Sequence, residues 1–287
     1  MAISINKVDE PLRQQIIQEY NNGKSLRQIE IDYGVTRSTV SKYLTKIGVK
    51  TTVGNHYRTY HHQEDFFERI DNEQKAYWLG FMFADGYISN NETRYGQDQF
   101  GLSVALEDVE ILYSFKEALS ANNPVHQYER NEHAKGQPLC RLQLTSQKTV
   151  DDLILHGCVK QKSHILQPPQ DVPDNLIPHF IRGFFDGDGS ITKSINQRYK
   201  ITNGYVYSIN ITTTQEMAKW LQSYFDMGSV IKENRHDFTY YYSLGGHRQV
   251  IQFYHILYDN ATVYMQRKYL RFQELLNKYG ETQGIDV

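Results

Sequence analysis

The chain has 287 residues, of which 39% are hydrophobic and 22% charged, and a formal net charge of −2 at pH 7. This balance predicts a folded globular protein of about two domains and excludes a disordered or fibrous chain. It contains two cysteines outside any CxxC pair, and its apolar runs are far shorter than the ~20 residues of a membrane span. We therefore expect a reduced intracellular protein without a disulfide framework, a structural zinc site or a membrane span.

Basic residues are concentrated at the N-terminal end. Residues 1–62 contain nine Lys and Arg against five Asp and Glu, whereas the remainder contains 22 against 28. A local basic excess can bind phosphates even when the whole chain is slightly acidic. The arrangement of residues therefore decides whether nucleic acid is a partner.

Three short helices are predicted within residues 1–50. Apolar residues recur at helical spacing, Ser25 and Thr36 are suited to cap the second and third helices, and Gly34 makes the turn between them. This pattern predicts a helix-turn-helix domain, although Glu30 stands where such motifs usually carry a small residue. The outer face of the third helix offers groups for phosphates and base edges, namely Arg37, Ser38, Thr39, Ser41 and Lys42. The alternative is a three-helix packing module with a solvated polar face.

Composition predicts two linkers. Residues 51–71 are polar and lack sustained periodicity, which indicates a linker or an arm that follows DNA. Four of the seven prolines fall within residues 168–178, PPQDVPDNLIP, where proline disfavours helix and central strand. The chain therefore divides into a helical domain at 1–50 and two segments of similar size at 72–167 and 179–287.

The two larger segments contain an internal repeat. Residues 77–89, YWLGFMFADGYIS, align with residues 180–192, FIRGFFDGDGSIT, at a constant offset of 103. In both copies the motif is followed by polar strands, an amphipathic helix, further strand-like sequence and a basic segment. This order predicts two helix-strand-strand-helix-strand-strand-helix units and an α+β fold.

Each motif helix carries small residues four positions apart. They are Ala76, Gly80 and Ala84 in the first helix and Gly183 and Gly187 in the second. Residues at this spacing share one helix face, and Gly inside a helix destabilises it by ~1 kcal/mol relative to Ala, so the stripe predicts close packing of the two helices. Gly86 and Gly189, which follow the helices, are predicted to leave them through positive-φ turns.

Packing of the motif helices side by side would bring their terminal aspartates together. Asp85 and Asp188 would emerge at one end of the interface, where two carboxylates repel unless a cation lies between them. Hard divalent cations prefer such oxygen ligands. The alternative is that each aspartate is only a turn residue at a helix end.

Strand-like segments in both repeats alternate between apolar and polar residues. In the second repeat Tyr205, Tyr207, Ile209 and Ile211 alternate with Val206, Ser208, Asn210 and Thr212, and in the first Phe100, Leu102, Val104 and Leu106 alternate with Gln99, Gly101 and Ser103. This spacing predicts sheets with one packed face and one polar face suited to the major groove, unless that face is merely solvated. The candidate DNA-binding residues are Arg94, Gln97, Lys193, Asn196, Arg198 and Lys200.

The motifs FMFADG and FFDGDG, within WLGFMFADG and IRGFFDGDG, resemble the two motifs of the LAGLIDADG homing endonucleases in their single-chain, two-repeat form. The resemblance covers roughly residues 72–279 and implies two pseudo-symmetric αββαββα repeats that form a DNA-gripping saddle. It also implies that Asp85 and Asp188 bind a divalent cation, normally Mg²⁺, in a site that includes Ala84 and Gly187. The N-terminal domain resembles the DNA-binding modules of free-standing family members in phages and bacteria.

The resemblance further implies basic catalytic residues on the last strand of each repeat. The candidates are Lys160 and Lys162 in VKQKSHIL and Arg267 and Lys268 in YMQRKYLRF, and a cation there would stabilise charge developing on a scissile phosphate. Any of them could instead be a solvated charge at the start of a helix. One departure from the family pattern is Phe83, which stands where the first motif usually has an acid that Asp186 retains in the second.

Together these features predict a site-specific, metal-dependent endonuclease that cuts each strand of double-stranded DNA once. We expect a monomer, in the nucleoid region of the cytoplasm of a bacterial or phage-infected cell. One alternative is a DNA-binding regulator on the same fold without catalysis, against which the retention of both aspartates argues. The other is an RNA-splicing maturase, which the appended DNA-binding domain disfavours.

Overall fold

The computed structural model describes eight stretches of the chain, residues 9–22, 24–49, 60–89, 98–128, 138–160, 164–195, 205–234 and 238–279. The chain forms two compact units, Met1–His61 and His62–Val287. Across the described stretches, no helix has the length and apolar character needed to cross a membrane.

The first unit contains the three predicted helices, α1 (Glu10–Asn21), α2 (Leu26–Tyr33) and α3 (Arg37–Lys46). The hydroxyl of Ser25 accepts a hydrogen bond from the backbone of α2, the hydroxyl of Thr36 does so for α3, and the intervening turn contains a glycine with φ of 68°. Their small core consists of Ile16, Tyr20, Ile29, Val35, Val40 and Leu44. Ile47 is exposed, because α3 ends before it.

Glu30 has a structural role in the turn between α2 and α3. Its carboxylate accepts a hydrogen bond from the backbone N–H of Arg37 at 3.3 Å and forms an ion pair with the guanidinium of the same residue at 2.7 Å. A carboxylate at a helix N-terminus pairs with an N–H that has no partner within the helix, and its negative charge interacts favourably with the helix dipole. The acid is therefore accommodated as a second cap of α3.

The second unit contains the two repeats in the predicted order. The first comprises α4 (Glu73–Ala84), β1 (Gly86–Ile88), β2 (Gln99–Ala105), α5 (Val109–Ala118), β3 (Val125–Tyr128), β4 (Leu139–Thr145) and α6 (Gln147–Leu155). The second comprises α7 (Ile177–Asp188), β5 (Gly189–Ile195), β6 (Tyr205–Thr213), α8 (Gln215–Phe225), β7 (Ser229–Lys232), β8 (Tyr240–Gly245) and α9 (His247–Tyr258). A further helix, α10 (Gln266–Tyr279), follows the second repeat.

Each repeat forms one four-stranded antiparallel sheet, and the two sheets have the same topology. Their strand orders are β1-β2-β4-β3 and β5-β6-β8-β7. The predicted alternation holds for most positions, because Phe100, Leu102 and Val104 of β2 and Tyr207, Ile209 and Ile211 of β6 are buried. Tyr205, at the start of β6, is only half-buried, and Leu106 lies beyond β2 in a short 3₁₀ turn and is exposed.

Both predicted linkers are shorter than their composition indicated. Phe66, Phe67 and Ile70 are buried in the core of the second unit, so residues 62–70 do not act as a linker. Helix α7 begins within the proline-rich segment, and Pro178 occupies its first turn. Proline is tolerated there because the N–H that it lacks has no partner within the helix.

Candidate active site at the paired helices

The motif helices α4 and α7 pack backbone to backbone. A Cβ atom added to Gly80 would overlap the carbonyl of Phe180, and one added to Gly183 would overlap the carbonyl of Tyr77. These two contacts are related by the same offset of 103 as the sequence motifs. The two helices approach so closely that these positions have no room for a side chain, so glycine is required there. The stripe of small residues predicted this close packing.

This packing places the C-terminal ends of α4 and α7 together. The Cβ position of Gly187 would overlap the methyl group of Ala84 and lies 3.3 Å from the backbone nitrogen of Asp85. Asp85 is the C-cap of α4 and is half-buried, whereas Asp188 ends α7 and is exposed. Both aspartates thus lie at the same end of the helix pair.

Gly86 and Gly189 do not form the predicted positive-φ turns. Gly189 has a φ of −83° and is extended, and the φ of Gly86 also lies outside the left-handed region. Strands β1 and β5 instead begin directly at these glycines, each folded against the preceding helical turn. A Cβ atom would overlap the carbonyl of Met82 in one case and of Phe185 in the other, so close approach explains both glycines.

Lys268 lies beside this site, on α10 and not on a strand as predicted. Its side chain is 4% exposed, and its Nζ donates hydrogen bonds to the carbonyls of Phe185 at 2.7 Å, Asp186 at 2.6 Å and Gly187 at 3.3 Å. Burial lowers the pKa of Lys268 to about 8, and the charges of nearby acids, Asp85 and Asp188 among them, oppose this shift.

The other basic candidates have different surroundings. Lys160 follows α6 in a non-helical segment and forms an ion pair with Asp98. Arg267, on α10, binds both carboxylate oxygens of Asp108, at 3.1 and 2.9 Å. Lys162 lies outside the described residues. Neither Lys160 nor Arg267 is on a strand, so the predicted location of the basic residues was wrong for both.

Asp186 is a buried structural residue. Its carboxylate accepts hydrogen bonds from the hydroxyls of Tyr77 at 2.9 Å and Tyr258 at 2.6 Å and from the backbone N–H of Met265 at 2.7 Å. Burial raises the pKa of Asp186, although these donors and Lys268 favour its charged form. Its carboxylate therefore connects α7 to neighbouring elements.

An ion pair that the sequence analysis missed joins the two motif helices nearer their N-terminal ends. The guanidinium of Arg182 is completely buried and donates to a carboxylate oxygen of Glu73 at 2.6 Å. It also donates to the carbonyls of Val263 at 2.9 Å and Leu257 at 2.7 Å. The arginine within IRGFFDGDG was the available signal, but its partner lies 109 residues earlier in the chain.

The residues at the paired helix ends fit a hard divalent cation. They offer two carboxylates and the carbonyl ends of two helices, where the helix dipoles favour positive charge. Within the described part of the chain there is no group of three or more His, Cys, Asp or Glu that could hold a metal. This set suits Mg²⁺, which commonly takes one or two carboxylates and completes its octahedron with water and phosphate oxygens.

Of the six DNA-binding residues predicted on the sheets, Lys193 is the one within the described part of the chain. Lys193 points toward the helices, where it pairs with Glu274 and lies 4.4 Å from the ring centroid of Tyr205. Lys193 is the cross-strand partner of Tyr207, which is buried, and cross-strand partners lie on the same face of a sheet. The remaining candidates, Arg94, Gln97, Asn196, Arg198 and Lys200, lie outside the described residues.

The open face of the first sheet carries polar side chains that the sequence analysis did not single out. Arg141 and Gln143 alternate with buried Cys140, Leu142 and Leu144 along β4. The alternation in LCRLQLT was the signal that could have identified them, since Arg and Gln are common base-reading residues. These two side chains share their face with Gln99 of β2, whose amide oxygen accepts a hydrogen bond from Gln143 at 2.8 Å.

On the first unit, the predicted α3 surface is only partly available. Arg37, Ser38 and Lys42 are exposed, whereas Thr39 and Ser41 are half-buried. The hydroxyl of Thr39 also hydrogen-bonds that of Thr36 at 2.7 Å, and Arg37 is paired with Glu30 as described above. Three of the five predicted side chains therefore face solvent.

Comparisons with known proteins support the same architecture. The LAGLIDADG endonuclease family model matches residues 181–278, in the second repeat. The LAGLIDADG meganuclease I-AabMI bound to uncleaved DNA superposes with a TM-score of 0.53 at 15% identity, over 74% of this chain and 92% of that chain. The I-SmaMI LAGLIDADG homing endonuclease bound to cleaved DNA does so with a TM-score of 0.50 at 16% identity, over 73% and 89%.

No curated protein matches the sequence. At these identities the solved structures establish the fold, and they do so across both repeats. The chain therefore has the α+β fold of the LAGLIDADG meganucleases, with two four-stranded antiparallel sheets, and its second repeat matches the LAGLIDADG endonuclease family model.

Proposed function

We propose that this protein is a site-specific, metal-dependent endonuclease that hydrolyses one phosphodiester bond in each strand of double-stranded DNA. The observation that carries the proposal is the meeting of Asp85 and Asp188 at the ends of two glycine-packed helices, one from each sheet-bearing repeat. Because one chain supplies both aspartates, we propose that it acts as a monomer. The fold and the partial family match support this assignment.

In this proposal the open faces of the two sheets bind DNA. The first presents Arg141, Gln143 and Gln99, and the second presents Ser190, Thr192 and Asn210. Hydrogen-bonding groups at strand spacing can contact base edges in the major groove. The described strand positions on both open faces carry no acid, and Glu233, which follows β7, is hydrogen-bonded to Tyr241.

The chain's own residues position the reacting phosphates. Asp85, Asp188 and the adjoining carbonyls of Ala84 and Gly187 form an oxygen-rich site, and Lys268 places a cation beside it. A divalent cation bound there would supply charge neutralisation at the phosphate and activate a water molecule for attack. The Nζ of Lys268 already donates to three carbonyls, so it would act on a nearby phosphate through its charge and not through a direct hydrogen bond.

We also propose that the first unit is a helix-turn-helix domain that lengthens the DNA footprint. Its exposed Arg37, Ser38 and Lys42 lie on one helix, and the unit carries the local basic excess. Removal of residues 1–50 is expected to weaken binding and reduce its salt dependence without moving the cut, because fewer phosphates are contacted. A shifted cut would contradict this division of roles.

The decisive experiment uses a library of randomised DNA duplexes with Mg²⁺, followed by sequencing of the cleaved ends. We expect the wild-type protein to cut a small set of related sequences, and Asp85→Asn and Asp188→Asn to bind those sequences without cutting them. Asp65→Asn, at an exposed position outside the site, is the matched control and is expected to cut normally.

Two results would contradict the proposal. Wild-type binding without cleavage at any Mg²⁺ concentration would favour the non-catalytic regulator. Tighter binding to folded intron RNA than to any selected duplex would favour the maturase.

A further inference from the structure

The open faces of the two sheets differ at equivalent positions. Gly86 pairs with Leu102 and Gly189 with Ile211, so the two registers can be superposed strand by strand. In the first sheet the next position, Ser103, pairs with Arg141, whereas in the second Thr212 pairs with Tyr241. The hydroxyl of Tyr241 donates to the carboxylate of Glu233, so the second sheet has a tyrosine bonded to an acid where the first has a cation.

Gly101 shapes the surroundings of Arg141. A Cβ atom at Gly101 would overlap the carbonyl of Leu142 and lie 3.0 Å from the hydroxyl of Tyr87. Without that atom, Tyr87 reaches across β2, and its hydroxyl lies 3.4 Å from the amide oxygen of Gln143. The aromatic ring is thereby held on the open face beside β4.

Arg141 lies between two aromatic rings. Its guanidinium carbon is 5.3 Å from the ring centroid of Tyr87 and 5.4 Å from that of Tyr128. Among the described residues no carboxylate forms an ion pair with it, and its Nε is buried there without a hydrogen-bond partner. Contacts with ring faces restrict the rotamers of an arginine and do not use its in-plane N–H groups. The two terminal nitrogens, and not the buried Nε, are therefore the donors considered for a base.

We propose that Arg141 reads a guanine in the half of the DNA target that the first repeat contacts. Arginine donates two parallel hydrogen bonds to the O6 and N7 acceptors of guanine in the major groove, which no other base pair presents in that pattern. The two rings preorganise the side chain, so little conformational freedom is lost on binding. The described strand positions on the open face of the second sheet carry no arginine, so we expect the guanine preference of the first half-site to have no counterpart at the equivalent position of the second. This inference rests on the proposed function.

The test is selection of bound duplexes from a randomised library by the full-length protein without divalent cations, so that cleavage does not interfere. The wild-type protein is expected to enrich a guanine at one position of one half-site. Arg141→Ala should reduce that preference by about 5- to 150-fold while preferences in the other half-site persist. Arg141→Gln should shift the same position toward adenine, because glutamine pairs with the N6 and N7 of adenine.

Arg248→Ala is the matched control, because this arginine is exposed on α9 and belongs to no sheet face. Arg141→Lys guards against misfolding, since it keeps the charge between the rings but loses the bidentate geometry, and it should weaken the guanine preference at unchanged melting temperature. An unchanged guanine preference in Arg141→Ala, or an equal loss of affinity for all sequences, would overturn the inference. Failure of the wild-type protein to enrich any sequence would overturn the proposed function as well.

Discussion

Positions 103 residues apart occupy equivalent places in the two repeats, yet their chemistry differs where the motif helices end. Phe83 packs edge-on against Phe180 at 5.0 Å, whereas its counterpart Asp186 binds two tyrosine hydroxyls. The carbonyl of Met82 contacts the thiol of Cys158 at 3.6 Å, whereas its counterpart Phe185 accepts a hydrogen bond from Lys268. The two repeats therefore share a backbone arrangement at these positions but differ in the side-chain contacts around it.

The difference teaches which features maintain the pseudo-symmetry. Gly80 and Gly183 make the same close contact, and Gly86 and Gly189 begin the first strand of each sheet in the same way. These constraints act on the backbone and leave no room for a side chain in either repeat. Polar groups can therefore differ between the repeats without disturbing the helix pair, and the two halves of the site can differ in function.

The largest expected effect concerns the buried ion pair that joins the repeats. Arg182→Met should lower the free energy of unfolding by about 3–5 kcal/mol, because it leaves the Glu73 carboxylate without its guanidinium partner. The measurement is urea unfolding. Arg271→Met, which removes an exposed ion pair on α10, is the control and should cost less than about 1 kcal/mol. Equal losses in the two variants would contradict a special role for the buried pair.

The next effect concerns Lys268, which lies at the end of the motif helix of the second repeat. Lys268→Met should slow cleavage of one strand by about 10²- to 10³-fold, as expected for removal of a group that stabilises transition-state charge. Strand-resolved cleavage of the selected duplex measures this, and a nicked product should accumulate. Arg267→Ala, at the neighbouring position paired with Asp108, should cut both strands normally. Equal slowing of both strands would show that the asymmetry has no catalytic consequence.

A smaller loss of stability is expected when the glycines between the motif helices are replaced, and comparison of the two positions tests the pseudo-symmetry of the helix pair. Gly80→Ala and Gly183→Ala should each destabilise the protein by about 1–3 kcal/mol, because the methyl group meets backbone that cannot move independently. The two losses should be similar. Gly245→Ala is the control, since nothing lies within 4 Å of the added carbon and its φ is ordinary. Thermal unfolding of all three variants gives the comparison, and a loss in only one motif helix would break the pseudo-symmetry.

The smallest effect is predicted for Lys193, which contrasts with Arg141 on the other sheet. Lys193→Ala should change the free energy of unfolding by less than about 1 kcal/mol, because its ion pair with Glu274 is partly exposed. It should leave base preference unchanged, because the side chain faces α10 and not the open face. Selection from the randomised library checks this. A changed base preference in Lys193→Ala would show that Lys193 contacts DNA.

Local features of the sequence determined most of the fold. Ser25 and Thr36 cap their helices as predicted, since a cap depends on residues three positions away. Both sheet faces follow from period-two alternation, and the paired glycines follow from four-residue spacing in two matched motifs. The repeat itself also indicated where Asp85 and Asp188 lie, because equivalent helices end at equivalent places.

Tertiary structure decided which polar groups face the site. Lys193 pairs with Glu274, Arg267 with Asp108 and Arg182 with Glu73, and each partner lies at least 81 residues away in sequence. Alternation assigns a residue to one of two faces, but the identity of the covering element depends on packing between distant segments. Helix α10 shows this most clearly: its basic start resembled the end of the first repeat in sequence, yet in the fold it covers the second sheet and buries Lys268 against α7.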